Sequence, residues 1–433
     1  MSQYVTSDSN HTKEQHIRVY PAQMATQSFG RLRVRCTAAG DIPVSNATVS
    51  ISLPSNPSVT MEQLTTDASG LTDEIELTAP PIDYSLSPSE VQPYSEYDLQ
   101  VSAPGYEQAF FSGVQILAEV TAEQPSTLLP LPENVPQEGE SFAIEPHTLY
   151  YEYPPKIPED EIKATLETGE IVLPNVVVPE YVIVHDGPPS DTSAPNHYVR
   201  YRDYIKNVAS SEIYATWPES AIYANILAIQ SFTLNRVFTE WYRNQGYNFT
   251  ITSSTAYDHK WMNGRNIYEN ISALVDSVFV NFLSRPNVRQ PILTQYCDGN
   301  RVSCPGWMTQ WGSKNLSDQG YSAIQILRHY YGSSIYINSA SEVSGVPVSW
   351  PGSNLSTGSS GSSVRTIQEQ LNRIADVYSA IPKVAVDGIY GPRTADAVRA
   401  FQRIFGLPAT GVVDLATWYK ISQIYVGVTR IGQ

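Results

Sequence analysis

Cysteine is scarce in this chain: among 433 residues there are three, too few for a disulfide framework. Cys297 and Cys304 stand close together in a loop-like stretch. That spacing is open to a disulfide, to a metal contact, or to two free thiols in a reducing compartment. Long apolar runs are also missing. No stretch of about 18 apolar residues occurs, which excludes a membrane-spanning helix. The first residues lack a basic region followed by an apolar one, so no secretory signal peptide is expected. Positive charge is nearly absent from one long section. Between Asp41 and Ser190, 25 Asp and Glu face only Lys156 and Lys163, a net charge of −23, while the remainder carries +7. The acidic section is therefore no binder of nucleic acid or of any other anionic polymer.

What is present points to several folded units, since a chain of this length exceeds one ordinary core. Residues 1–29 are polar and aperiodic and read as a flexible leader. From Gly30 onward the pattern is that of short strands. Leu32, Val34 and Cys36 alternate with Arg31, Arg33 and Arg35, which marks a half-buried strand. Further alternating runs and turn signals, including Thr66 to Gly70, recur about every ten residues and indicate a β-sandwich over 30–127. Residues 128–171 are rich in Pro and Glu and read as an extended, exposed linker open to proteolysis. A new domain starts at Val172 and runs to residue 350. Residues 351–363, Gly- and Ser-rich, read as a second flexible linker. Residues 364–433 then carry three helical stretches.

The candidate for chemistry is Glu212. It lies among small and apolar residues, just ahead of an expected helix from Glu219 to about Arg243, with Tyr214 and Trp217 close behind. An apolar setting penalises the ionised carboxylate and raises its pKa, as a general acid at neutral pH requires. On residue type alone, a helix-capping or ion-paired carboxylate is the better reading.

Three resemblances extend this reading. The C-terminal segment resembles the type 1 peptidoglycan-binding domain family through Val364, Ile367, Gln368 and Leu371, then Asp387, Gly388, Tyr390, Gly391 and Thr394, then Phe401, Gln402, Gly411, Asp414, Thr417 and Trp418. The resemblance implies a three-helix module that holds cell-wall material, with Asp387, Gly388, Tyr390, Gly391 and Thr394 as its motif residues. The first module is similar to transthyretin-like and carboxypeptidase-regulatory-like β-sandwiches. The middle region resembles the stage II sporulation protein D/LytB family in two blocks. One holds Tyr204, Ile205, Lys206, Val208, Glu212, Ile213, Trp217 and Pro218. The other runs from Met308 through Gln310, Trp311, Gly312, Gly320, Ile326 and Leu327 to Tyr331.

That family consists of lytic transglycosylases, and the resemblance implies Glu212 as catalytic acid/base, with Tyr214, Trp217, Gln310 and Trp311 lining a glycan groove. Ser220 and Gln230 replace a Glu and an Arg of the family pattern. His259 has no neighbouring cysteine with which to build the zinc site found in some members, so the reading calls for no metal and no cofactor.

The whole arrangement resembles spore cortex-lytic enzymes. It implies a multidomain chain with an N-terminal β-sandwich within a removable pro-region, a central α+β catalytic domain and a C-terminal peptidoglycan-binding domain. The implied partners are cortex peptidoglycan and an activating protease, without nucleic acid or membrane, and the implied place is the spore cortex and coat region. The rivals are a muramidase using a second carboxylate from Asp203, Asp258 or Asp298, a zinc amidase, and a wall-binding scaffold without activity.

Overall fold

The computed structural model describes residues 28–131, 139–163 and 175–430. Most of the expected leader falls outside them, but Ser28 and Phe29 already belong to a strand. Nine strands build the first module: β1 (Ser28–Ala38), β2 (Ile42–Pro43), β3 (Thr48–Leu53), β4 (Asn56–Thr65), β5 (Ile75–Ala79), β6 (Tyr94–Ser102), β7 (Ala109–Leu117), β8 (Thr121–Thr127) and β9 (Glu140–Ala143). One sheet runs β4-β3-β6-β7-β9; the other joins β8, β1, β2 and β5. Their inward residues, Leu32, Val34, Cys36, Val49, Ile51, Leu99, Val101, Val114 and Ile116, are all buried. This is the alternation read from the sequence, realised as a two-sheet core. Gly30 has a specific task here. A Cβ at this position would meet the Leu117 carbonyl oxygen at 2.1 Å, so only glycine lets β1 and β7 approach so closely.

The module does not end where the strand pattern does. A short strand from the middle region, Ile267–Tyr268, pairs antiparallel with β8 and extends its sheet. Around this seam the polar groups are matched across the two regions. Asn266 exchanges hydrogen bonds with the Gln115 main chain, at 3.1 Å as acceptor and 3.0 Å as donor. Arg265, buried, donates to Gln115 Oε1 at 3.0 Å and to the Ser210 carbonyl at 3.1 Å.

Helix α1 (Tyr201–Glu212) and helix α2 (Glu219–Phe238) form the centre of the middle region. They are joined by α3 (Glu269–Val278), α4 (Gln310–Asp318) and α5 (Ala323–Tyr331). α2 stops at Phe238 rather than near Arg243, and it is buried along nearly its whole length instead of on one face. It packs against α1, α3, α4, α5 and the strand Asn281–Ser284. None of the helices among the described residues is long and apolar enough to cross a membrane.

Both expected linkers are packed where they are described. Residues 139–163 begin with β9, which pairs parallel with β7, and continue with Ile144, Leu149 and Tyr153 buried. Proline forbids helix there but does not prevent an extended chain from burying its apolar side chains. Residues 132–138 and 164–174 of that linker lie outside the described residues. In the second linker, Leu355 is buried and bridges Val413, Ser360 bridges Ile389, and helix α6 (Ser362–Ala375) has already begun.

Helices α6, α7 (Pro392–Ile404) and α8 (Leu415–Arg430) make the C-terminal module. Two glutamines play the same part twice. Gln368 on α6 accepts from Gly388 N and donates to Asp387 Oδ1 and the Ile389 carbonyl. Gln402 on α7 accepts from Gly411 N and donates to the Val412 carbonyl and Thr417. Each glutamine fixes the turn that starts the next helix.

Arg265→Ala strips two buried acceptors of their donor. It is expected to destabilise the chain by about 3 kcal/mol, read as a lowered thermal midpoint, whereas substitution of exposed Arg393 should leave it unchanged.

Candidate functional site

Glu212 is the last residue of α1, not a residue of the loop before α2. The expectation missed α1 as a helix because its charged and polar residues, Arg202, Lys206, Asn207 and Ser210, are buried too, which erases the apolar stripe. At the helix end the chain turns to an extended conformation at Ile213. The carboxyl is completely buried.

Two donors hold it. The Lys260 main-chain N–H donates to Oε1 at 2.6 Å, and the Tyr296 hydroxyl donates to Oε2. Gln310 donates to the Glu212 carbonyl oxygen at 3.1 Å and stands 3.5 Å from Oε2. The loop that presents Lys260 is itself pinned. Asp258, fully buried, accepts from Arg236 Nε at 2.7 Å, Tyr242 Oη at 2.7 Å and Thr252 N at 2.9 Å. His259, between them, bonds through Nδ1 to the Tyr204 hydroxyl and lies parallel to the Tyr296 ring.

Burial is the largest influence on the Glu212 carboxyl and holds its pKa above the ordinary 4.5; the Lys156 ammonium, the Tyr296 hydroxyl and the Lys260 N–H oppose this less strongly. The negative end of the α1 dipole acts in the same sense as burial. Lys156 is shifted the other way: desolvation pushes its pKa below 10.5. Both shifts express the cost of charge in a dry site.

Lys156 belongs to the segment 139–163, which packs on the residues around Glu212. Its ammonium donates to the Asp258 carbonyl and sits 4.7 Å over the Tyr296 ring. Thr148 Oγ1 donates to the Ser211 carbonyl at 3.0 Å. His147 stacks on Tyr214 at 4.4 Å. Arg301 clamps the Leu149 and Tyr150 carbonyls at 2.8 and 2.6 Å. Ile157 N donates to the Ala256 carbonyl, and Gln295 bonds both Ile157 and Glu159. The segment is thus tied down on both sides of the carboxyl.

Of the expected groove residues, Tyr214, Trp217 and Trp311 form one aromatic cluster, with centroids 5.0–6.0 Å apart, and Gln310 reaches Glu212. All four are buried, so they do not line an open groove in this state. Trp217 is tied away from solvent by its indole N–H, which donates to the Ser85 carbonyl of the first module at 2.9 Å. Several buried polar atoms beside them have no protein partner: His259 Nε2, Gln310 Oε1, Trp311 Nε1 and Tyr153 Oη.

The other expected site residues separate. Asp387, Gly388, Tyr390, Gly391 and Thr394 share one turn, but Tyr390 and Thr394 are buried, Tyr390 Oη donating to the Gly411 carbonyl and Thr394 accepting from Gln368. Tyr390 and Thr394 hold the turn from inside, while Asp387 is exposed beside them. Among the rival second carboxylates, Asp203 is exposed on α1, Asp258 is consumed by Arg236, and Asp298 accepts from the N–H groups of Arg301 and Val302. Cys297 and Cys304 form a disulfide. Among the described residues no group of three or more His, Cys, Asp or Glu is placed to hold a metal ion.

Sequence reasoning missed Tyr296, Lys260, Lys156 and Tyr153. Lys156 had a signal: it is one of only two cations in the long acidic section, and such an isolated charge needs a reason.

Comparison with known proteins places a peptidoglycan-binding domain at the C-terminus: residues 360–421 match the family described as a peptidoglycan binding domain. The zinc D-Ala-D-Ala carboxypeptidase of Streptomyces albus G is 43% identical over 75 residues, which are 17% of this chain and 28% of that protein. The chain thus spans less than a third of that relative's length. Among solved structures, catechol 1,2-dioxygenase from Acinetobacter radioresistens is 13% identical over 27% of this chain and 58% of its own, with a TM-score of 0.17. Chlorocatechol 1,2-dioxygenase from Pseudomonas putida is 10% identical over 27% and 60%, with a TM-score of 0.14. Scores this low carry no argument about fold.

Glu212 binds its proton more readily folded than unfolded, so stability falls as pH rises from about 4 through its elevated folded pKa. Glu212→Gln is therefore expected to melt about 3 °C above the parent at pH 7, with the gap closing below pH 4. A gap independent of pH contradicts the assignment.

Proposed function

We propose that this chain is a cell-wall enzyme that cuts the glycan strand of peptidoglycan as a lytic transglycosylase, with Glu212 as its single acid/base, and that it is held inactive until residues 139–163 are displaced. The observation that carries this is the buried Glu212 carboxyl, kept inclined to protonation at the end of α1 and surrounded by unpartnered polar atoms. Those atoms are what the hydroxyl and amide groups of a sugar would satisfy. The C-terminal peptidoglycan-binding domain and the partial likeness to a carboxypeptidase named for D-Ala-D-Ala support a wall substrate.

The chemistry follows from one carboxyl. Protonated Glu212 gives its proton to the glycosidic oxygen between N-acetylmuramic acid and N-acetylglucosamine as that bond breaks. The resulting carboxylate then takes the proton of the muramyl C6 hydroxyl, whose oxygen attacks C1 and closes a 1,6-anhydro ring. No water enters, so a second carboxylate is unnecessary, unlike in a glycoside hydrolase. The engagement of Asp258 and Asp298 by other groups favours this over a muramidase. Tyr296 and the Lys260 N–H orient the carboxyl.

The cover supports a zymogen. Residues 139–163 pack on Ser211, Ile213, Tyr214 and Tyr296 around Glu212, and on this reading a glycan reaches the carboxyl only once the segment is displaced. Removal of an acidic N-terminal part would also leave a less anionic enzyme to meet an anionic wall. Together with the two motif blocks, this fits the SleC-type enzymes of spore cortex germination, and the spore cortex is the location we propose.

Mass spectrometry of products from cortex peptidoglycan, before and after limited proteolysis of the chain, tests the reading. Anhydro-muramic ends are expected only after proteolysis; reducing ends or released peptides would overturn it. Glu212→Gln should abolish the products while wall pelleting persists. Tyr296→Phe should slow them about ten-fold.

A further inference from the structure

The disulfide between Cys297 and Cys304 closes a small ring beside the Glu212 site. The ring begins one residue after Tyr296, whose hydroxyl holds the carboxyl, and the strand Tyr296–Cys297 pairs with Met308–Thr309. Inside the ring, buried Asp298 accepts from the N–H groups of Arg301 and Val302 at 2.8 and 3.0 Å. Arg301 therefore lies between two anchors, the Asp298 carboxylate on one side and the disulfide on the other. Around the second anchor Ser303, Pro305 and Gly306 are exposed. Cys304 is half-buried there, whereas Cys297 is fully buried.

Arg301 directs its guanidinium at the covering segment. Nη1 donates to the Leu149 carbonyl at 2.8 Å and Nη2 to the Tyr150 carbonyl at 2.6 Å. Charge-assisted bonds of this kind are stronger than neutral ones. They fall where the segment passes the end of α1, next to the bond from Thr148 to the Ser211 carbonyl. With the disulfide open, Arg301 would sit on a longer loop, running from Asp298 to Met308. Keeping its side chain on two carbonyls would then cost more chain entropy.

We infer that the 297–304 ring is a thiol-reducible latch on residues 139–163: closed, it holds Arg301 on the Leu149 and Tyr150 carbonyls; reduced, it lets that part of the segment open. The co-reactant is a dithiol. Its thiolate attacks Cys304 Sγ, the more accessible sulfur, and the S–S bond breaks as Cys297 Sγ leaves and takes up the proton. The second thiol then displaces Cys304 Sγ and passes its proton to it. The dithiol is oxidised to a disulfide, and both cysteines are left as thiols. Cys36, the remaining cysteine of the three, is a buried free thiol and offers no second disulfide. The inference concerns the hold on the segment and does not depend on the reaction assigned to Glu212.

The test is hydrogen exchange of the full-length chain, read by mass spectrometry, in dithiothreitol against oxidised dithiothreitol, with alkylation counting the thiols freed. The Thr148 N–H donates to the Ser211 carbonyl, and those of Tyr150 and Tyr151 to the His147 carbonyl, so their exchange reports local opening. Reduction should free two thiols and speed exchange across residues 147–151 about ten-fold, while α7 in the C-terminal module keeps its rate. Arg301→Met in the oxidised chain should give the same acceleration, and reductant should add nothing to it. The double variant Cys297→Ala, Cys304→Ala should match the reduced chain without reductant. Unchanged exchange once both thiols have appeared overturns the inference. So does an acceleration shared by α7, a full response to reductant in Arg301→Met, or a chain that holds no disulfide before reduction. If the latch responds as expected and anhydro ends never appear, the reaction proposed above fails and the latch stands.

Discussion

The structure depends on keeping one carboxyl dry. Glu212 ends a helix that is buried on every side except at Asp203, and the groups around it come from four separate parts of the chain: Lys260, Tyr296, Gln310 and, from far upstream, Lys156. None of these contacts can exist unless α1 is packed against α2 and α3 and the 254–262 loop is pinned by Asp258. The Asp258 cluster explains the price of that loop's position. A buried Arg236–Asp258 pair gains little over apolar packing, yet it fixes where the Lys260 N–H points, which apolar packing would not.

Interlocking of the three modules follows from the same need. The first module reaches the site through Ser85, which holds Thr216 and Trp217, and through Gln115, which anchors Arg265 and Asn266. The C-terminal module closes the other end. Its Tyr378 donates to the carbonyl of Asp41 in the first module at 2.6 Å, and Asp41 in turn pairs bidentately with Arg200 at 2.7 Å. Arg202, next in α1, donates to the Tyr419 carbonyl and to Asp276. A helix held at its N-terminal turn by both outer modules and at its C-terminal turn by the first has little freedom to shift. The carboxyl at its end inherits that rigidity.

Much of this was legible from residues alone. The strands of the first module announced themselves by alternation, because one face meets a core and the other meets water. The burial of Glu212 was foreshadowed by its small and apolar setting, and the C-terminal helices by their turns. The failures share a cause. α1 and α2 are buried all round, so hydrophobic periodicity, which reports a difference between two faces, had nothing to report. Tyr296 and Lys260 are brought to Glu212 by long-range packing that no local pattern encodes. The described residues within 128–171 hold no helix, as the proline density predicts, but proline says nothing about whether an extended chain is exposed. Ile144, Leu149 and Tyr153 were the contrary evidence, apolar residues spaced through a stretch that a free linker would have made polar.

The cover and the substrate pose the same electrostatic problem, which limits how the site can work. Burial is the main reason the Glu212 carboxyl favours its proton. With residues 139–163 gone, water reaches the carboxyl and that influence weakens; Lys156, which favours the charged form, leaves as well. The two losses oppose each other, and desolvation is the larger. An open, empty site would therefore hold a more ordinary carboxylate, poorly suited to donate a proton near neutral pH. Under the proposed function, the carboxyl would keep its proton near neutral pH only when something dry fills the site again. A glycan bound across the unpartnered His259, Gln310 and Trp311 atoms would do so, restoring the protonated form at the moment the glycosidic oxygen arrives. Under the proposed function, the covering segment and a glycan would be alternative lids on one carboxyl, and the proton would be held in place by the molecule that receives it.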